Sequence, residues 1–211
     1  MARAGKILNA CNQTEMPPEA IAAALGDPGW CVVADYLNGA ETTALRVECL
    51  DAHLSGSFHQ AGVGSGNSKI HSDIRGDQVL WIDETHASAP LYKVLTKLES
   101  LRQAVNQHLF LGLFDVELHF ALYPPGAGYS RHLDRFRDDD RRTLTVILYL
   151  NDNWTHLDGG LLRFWPDDQA PAFDIEPKAG TLVTFLSDRF WHEVAPAQRQ
   201  RLSLTGWFRH L

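Results

Sequence analysis

The spacing of apolar residues divides the chain into two regimes, helical before about residue 112 and strand-like after it. Residues 18–30, PEAIAAALGDPGW, predict a short helix halted by Gly26 and Pro28. WCVVADYL, residues 30–37, predicts a strand, and residues 39–56 an amphipathic helix whose inner face carries Ala44, Val47, Leu50 and Leu54. Residues 89–112 carry Leu91, Val94, Leu95, Leu98, Leu101 and Val105 at helical intervals, the stripe of a long helix lying on something flat. Between these helices, residues 58–83 are dense in Gly, Ser and Asn, which predicts a mobile loop leading into a short strand at QVLWI. Beyond residue 112 the period shortens to two. Short runs such as FDVELHFALY, RTLTVILYL, GTLVTFL and RLSLTGWFRH alternate with Gly- and Pro-containing turns, the signature of about eight strands in a sandwich or barrel. The expected fold is α+β: a jelly-roll-like double-stranded β-helix backed by amino-terminal helices.

Length and composition narrow the class. At 211 residues the chain suits one domain, taken as residues 18–211, preceded by a flexible arm over residues 1–17. The formal charge of −7 supplies no basic field for a phosphate backbone, so nucleic acid is excluded as a partner. The mixed run RFRDDDRR reads as a solvated loop. No apolar run approaches the roughly 20 residues that cross a bilayer, and the amino terminus lacks the apolar core of a secretory signal. Cys11, Cys31 and Cys49 are odd in number and widely spaced, as expected of reduced thiols in the cytoplasm.

Three His-x-Asp sequences offer an imidazole and a carboxylate two positions apart: His71/Asp73, His132/Asp134 and His156/Asp158. Such a pair on one face of a strand can bind one metal ion, although roughly one match is expected by chance in a chain this rich in His and Asp. His71 and Asp73 fall in the Gly-rich loop. His156 and Asp158 fall in the turn ending at Gly159–Gly160, where the backbone holds ligands least rigidly. His132 and Asp134 lie in a strand, and His192 follows at a distance that leaves room for about four strands. Two His and one carboxylate form the facial set of non-haem Fe(II) sites. Leu202 and Leu204 share one strand face, so Arg201, Ser203 and Thr205 share the other. If that face lines a barrel, Arg201 needs a partner, and a ligand carboxylate would serve.

The segments DIRGDQVLWI, YPPGAGYSRHLD, TLTVILYLN, DGGLLRFWP, DIEPKAGTLVTFLSDR, HEV and RLSLTGWF, in that order, resemble the iron- and 2-oxoglutarate-dependent prolyl hydroxylases of the hypoxia-inducible-factor type and their bacterial relatives. The resemblance covers residues 18–209. It implies that His132, Asp134 and His192 bind Fe(II), that Arg201 and Tyr149 hold the distal carboxylate of 2-oxoglutarate, and that Tyr123 approaches its metal-bound end. Ile147, Leu162, Val194 and Trp207 would form apolar walls, and Asp77 and Arg142 would pair as the Gly-rich loop, residues 60–80, closes over a peptide. It further implies O2 as cosubstrate, ascorbate as reductant, succinate and CO2 as coproducts, and hydroxylation at C4 of a prolyl residue. A role in oxygen sensing goes with it. Bacterial relatives look like modifiers of elongation factor Tu, which makes that protein the leading substrate. The chain departs from animal members in lacking a zinc finger, in a shorter turn before His132, and in placing His119 at a pocket position where they carry an apolar residue. Two other readings stay open: a hydroxylase of a free amino acid or other small molecule, and a non-catalytic metal-binding module, against which the ligand set and Arg201 argue.

Overall fold

The computed structural model describes residues 6–8, 16–62, 74–135, 140–167 and 169–211. His71, Asp73, Cys11, most of the Gly-rich loop and the centre of RFRDDDRR lie outside the described residues. Three helices form the first layer: α1 (Pro18–Gly26), α2 (Gly39–Leu54) and α3 (Ala89–Leu109). α2 starts at a capping box, in which the Asn38 side chain accepts from the Glu41 backbone N–H and the Glu41 carboxylate accepts from that of Asn38. α3 starts at Ser88, whose hydroxyl accepts from Leu91 N–H, and stops where Phe110 turns left-handed at φ 56°.

Among the described residues twelve strands follow in order: β1 (Lys6–Leu8), β2 (Trp30–Val33), β3 (His59–Gln60), β4 (Gln78–Trp81), β5 (Asp115–Tyr123), β6 (Tyr129–His132), β7 (Arg142–Tyr149), β8 (Leu162–Phe164), β9 (Phe173–Ile175), β10 (Leu182–Leu186), β11 (His192–Val194) and β12 (Arg201–Arg209). They make an eight-stranded sheet, ordered β1-β2-β10-β7-β12-β5-β4-β3, and a four-stranded sheet, ordered β6-β11-β8-β9. The helices cover one face of the larger sheet, and the smaller sheet covers the other, giving the double-stranded β-helix that the strand pattern predicts.

Alternation along the central strands sorts side chains between two cores. Leu144, Val146 and Leu148 of β7, and Leu202, Leu204 and Phe208 of β12, pack under the helices. Ile147 and Tyr149, with Tyr123 of β5, face the smaller sheet and meet its Leu162 and Val194. β5 and β12 pair so closely at Gly206 that a Cβ there would lie 2.1 Å from the Glu117 carbonyl oxygen, so glycine keeps the full register from Arg201↔Tyr123 to Arg209↔Asp115.

Three expectations need correction. The arm is not wholly loose, because Lys6–Leu8 pairs in parallel with β2 and covers what would otherwise be an open sheet edge. β2 ends at Val33, where the chain leaves the sheet through a turn containing Asp35 at φ 54°. Tyr36 and Leu37 are nonetheless buried. In α2 the inner face is Thr42, Leu45 and Cys49, while Val47 and Leu54 are exposed. Its apolar residues spread around the helix, so spacing alone did not choose the face. The α3 stripe is buried as expected except for Leu95, which packs at the core's margin. Among the described residues no helix is long and apolar enough to cross a membrane.

Cys31 and Cys49 are free and buried. Burial pushes both thiols up to about 12. The reactive species is the thiolate, so iodoacetamide at pH 8 should leave both unmodified in the native protein and label both in urea. Peptide mapping reads the result, and labelling of either in the native state would contradict their burial.

Candidate active site

The two histidines meet through strand pairing. β6 and β11 are antiparallel neighbours, and His132 and His192 are direct cross-strand partners with ring centroids 4.2 Å apart. Each imidazole donates its Nδ1–H to a backbone carbonyl two residues back, His132 to Ser130 at 2.7 Å and His192 to Phe190 at 3.0 Å. That bond sets the tautomer and leaves both Nε2 lone pairs free. Asp134 does not lie on the strand as expected. β6 ends at His132, and Asp134 stands in the bend that follows, with its carboxylate in the cluster. Asp134 Oδ1 is 3.6 Å from His132 Nε2 and Oδ2 is 3.5 Å from His192 Nε2. One donor atom from each residue falls within 4.8 Å of the others. Burial alone would raise the Asp134 pKa, but the two imidazoles hold the carboxyl well below its ordinary range. Burial likewise opposes protonation of His192, and the Asp134 charge more than offsets it. Burial and the neighbouring His192 hold His132 down. Two bare imidazole nitrogens and an ionised carboxylate converging on one point match the nitrogen and oxygen donors of a redox-active divalent iron site.

Across the same cavity stands Arg201, 2% exposed. Its Nε donates to the Gly160 carbonyl at 2.9 Å, and it has no ion pair among the described residues. Gly160 is itself left-handed, and a Cβ there would press on Ala197 and on the Arg201 stem. The guanidinium carbon lies 5.2 Å from the Tyr123 ring and 5.0 Å from the Tyr149 ring. Burial raises the pKa of both phenols, so they stay protonated and able to donate. The Tyr149 hydroxyl is buried without a hydrogen-bond partner among the described residues. A buried guanidinium without a carboxylate partner among the described residues, beside a buried phenol hydroxyl, fits a small carboxylate.

The family profile described as the 2OG-Fe(II) oxygenase superfamily matches residues 118–209. A Pseudomonas putida prolyl-4-hydroxylase of known structure is 47% identical, with a TM-score of 0.84, over 92% of this chain and 99% of that one. The chain belongs to the 2OG-Fe(II) oxygenase superfamily. It is of the prolyl hydroxylase type. A Trichoplax adhaerens prolyl hydroxylase, solved in complex with a hypoxia inducible factor oxygen degradation domain peptide fragment, is 30% identical with a TM-score of 0.81, over 94% of this chain and 96% of that one. Mouse Egl nine homolog 1 is 34% identical over 90% of this chain. The chain spans about half the length of that curated relative, 49%. The family implies Fe(II) and 2-oxoglutarate, and both residue sets above fit those groups by their donor chemistry.

Of the predicted site residues, all but Tyr149 line one pocket of the oxygenase, and Tyr149 stands behind Arg201. Asp77 and Arg142 are both there, but each has another partner. Fully buried Asp77 accepts from Arg75 at 2.7 and 2.9 Å, while Arg142 donates to Glu117 at 2.7 Å and lies over the Trp207 ring. A carboxylate pairs with the cation nearest in space, and Arg75 is two residues away on the same segment. The rejected pair His156/Asp158 forms a 3-10 turn outside the pocket, where Asp158 caps Thr155 and pairs with Arg199.

The structure adds residues that pattern reading passed over. The Tyr129 ring stacks on His132, centroids 3.6 Å apart, and Arg75 lies over its ring at 4.9 Å. Thr145 donates to Asp134 Oδ2 at 2.8 Å and hydrogen-bonds Ser187 at 2.9 Å, all three residues being buried. The alternation of β7, which puts Thr145 on the face of Ile147 and Tyr149, was the available signal. Removing this anchor in Thr145→Val should weaken Fe(II) binding about tenfold, read by metal titration of the purified chain. Unchanged metal affinity would show that the bend alone positions the carboxylate.

Proposed function

We propose that this oxygenase hydroxylates C4 of a prolyl residue in a cytoplasmic protein, with conversion of 2-oxoglutarate and O2 to succinate and CO2. The observation that carries the reading is a single pocket with a His132/Asp134/His192 cluster on one wall and Arg201, backed by Tyr149 and without a carboxylate partner among the described residues, on another. His132, Asp134 and His192 would hold Fe(II), which together with 2-oxoglutarate and O2 would supply the oxidising power at this site. Arg201 grips the distal carboxylate through its planar fork and Tyr149 donates to the same group. Tyr123, which lines the same pocket, would contact the keto acid there. Ile147, Leu162, Val194 and Trp207 exclude water from the reacting centre. When bound, iron and 2-oxoglutarate supply the oxidising chemistry that exchanges C–H for C–OH, with ascorbate as the reductant that keeps iron ferrous.

Asp77 and Arg142 line the same pocket and serve peptide binding in this reading. The peptide-bound Trichoplax relative supports a protein substrate, and elongation factor Tu, to which the resemblance of the sequence to bacterial prolyl hydroxylases points, is the first to try. Residues 18–211 act as one domain in this reading.

Mass spectrometry of an extract from cells lacking this gene, incubated with the protein, Fe(II), ascorbate and 2-oxoglutarate, tests the assignment. One oxygen added to a prolyl peptide, dependent on His132 and on 2-oxoglutarate, is the expected result. Succinate without a modified peptide would move the substrate to a small molecule. Neither signal would leave a metal-binding module.

A further inference from the structure

Beyond Arg201 the inner face of β12 continues to Thr205 and Trp207, and β5 lays His119 directly beside Thr205. The His119 imidazole is wedged between two indoles, with ring centroids 4.8 Å from Trp81 and 5.3 Å from Trp207, the latter stacked at 25°. His119 is 1% exposed and Trp207 4%, and both line the pocket that holds the metal-ligand cluster. Neither His119 Nδ1 nor Trp207 Nε1 has a hydrogen-bond partner among the described residues. Burial, reinforced by the charges of Arg75 and Arg142, holds the imidazole well below its ordinary pKa. It is therefore neutral, with one N–H and one lone pair.

A buried donor or acceptor without a partner is costly, and folded proteins leave few of them. Two on stacked rings in one pocket wall match a ligand that carries both a donor and an acceptor when the His119 proton sits on Nε2 and leaves Nδ1 as the acceptor. The indole can only donate, so it needs an acceptor, and the imidazole lone pair can take an N–H. An extended residue points its own N–H and C=O to the same side, as strands do in a ladder. Proline has no N–H. The group that fits is thus the backbone of a residue next to the proline, not the proline itself.

We propose that His119 and Trp207 form a sequence-independent subsite that reads the backbone N–H and C=O of one extended residue flanking the target proline. This rests on the prolyl reading above. Free proline has no flanking residue to reach this subsite while its ring lies at the metal-ligand cluster. The subsite would therefore favour peptides over amino acids.

The test uses the full chain with Zn(II) and 2-oxoglutarate, and three probes: N-acetyl-Ala-Pro-Ala-N-methylamide and its two analogues in which lactate replaces one alanine, deleting a single N–H. Nitrogen-15 NMR follows the indole N–H of Trp207, assigned with Trp207→Phe. The amide probe should shift that signal and bind about tenfold more tightly than one of the two esters. His119→Leu should erase the discrimination between amide and ester, and His119→Gln, which keeps a donor and an acceptor, should restore much of it. Equal binding of all three probes, no binding, an unmoved indole signal, or discrimination that survives in His119→Leu would each overturn the subsite. Prolyl hydroxylation in the extract would in those cases leave the prolyl reading standing, and its absence as well would remove both.

Discussion

In the His132→Ala variant, 2-oxoglutarate consumption should fall by at least about 10²-fold. Removing even a group that only orients a ligand costs 10- to 100-fold in metal affinity or activity, and here one of three donors itself is lost. His132 cannot be replaced from nearby, because its Nε2 is held in place by the Nδ1–H bond to Ser130 and by pairing of β6 with β11. Metal retained after dialysis should fall together with succinate formation. His156→Ala, which removes an exposed imidazole in the 3-10 turn, should change either quantity by no more than about twofold, as surface substitutions do. Parent-level turnover by His132→Ala would sink the ligand assignment.

Arg201→Leu should raise the KM for 2-oxoglutarate by about 10²-fold, with a smaller effect on kcat. Truncating one partner of a buried charge pair costs about 2–5 kcal/mol, and each 1.4 kcal/mol is a factor of ten. The split toward KM follows because the guanidinium stands across the pocket from the metal cluster and acts on binding of the cosubstrate. Folding should survive, since replacing a buried charge by an apolar side chain among the Tyr123 and Tyr149 rings removes a desolvation cost. Arg201→Lys should recover only part of the loss, because an ammonium lacks the planar fork and the Nε–H that engages Gly160. An unchanged KM in Arg201→Leu, measured by succinate release over a range of 2-oxoglutarate, would mean that the carboxylate is held elsewhere.

Local periodicity carried much of this fold. The α3 stripe, the two-residue alternation of β7 and β12, and the turn residues between short strands are properties of consecutive side chains, so they could be read without knowing what lay opposite. The same alternation put Arg201 on the inner face of β12, where the structure has it buried. Residue type carried the chemistry, because only a few side chains can ligate iron or bind a carboxylate.

What the tertiary structure alone decided depends on distance in space. The opposition of His132 and His192 arises from the pairing of β6 with β11, far apart along the chain. Asp134 is aimed by a bend and by Thr145 from β7, not by strand alternation. The inner face of α2 was set by what it packs against, since its own apolar residues point several ways. Asp77 took Arg75 and Arg142 took Glu117, because a charge pairs with whichever opposite charge folding brings within reach. Lys6–Leu8 became a strand only because β2 had an edge to cover. Sequence by itself determined the element types, the inner and outer faces of the central strands and the set of chemically able residues, since these are fixed within a few positions of the chain. Register across strands, the partner of each charge and the final aim of each ligand came from closure of the two sheets, which couples residues that no local pattern relates.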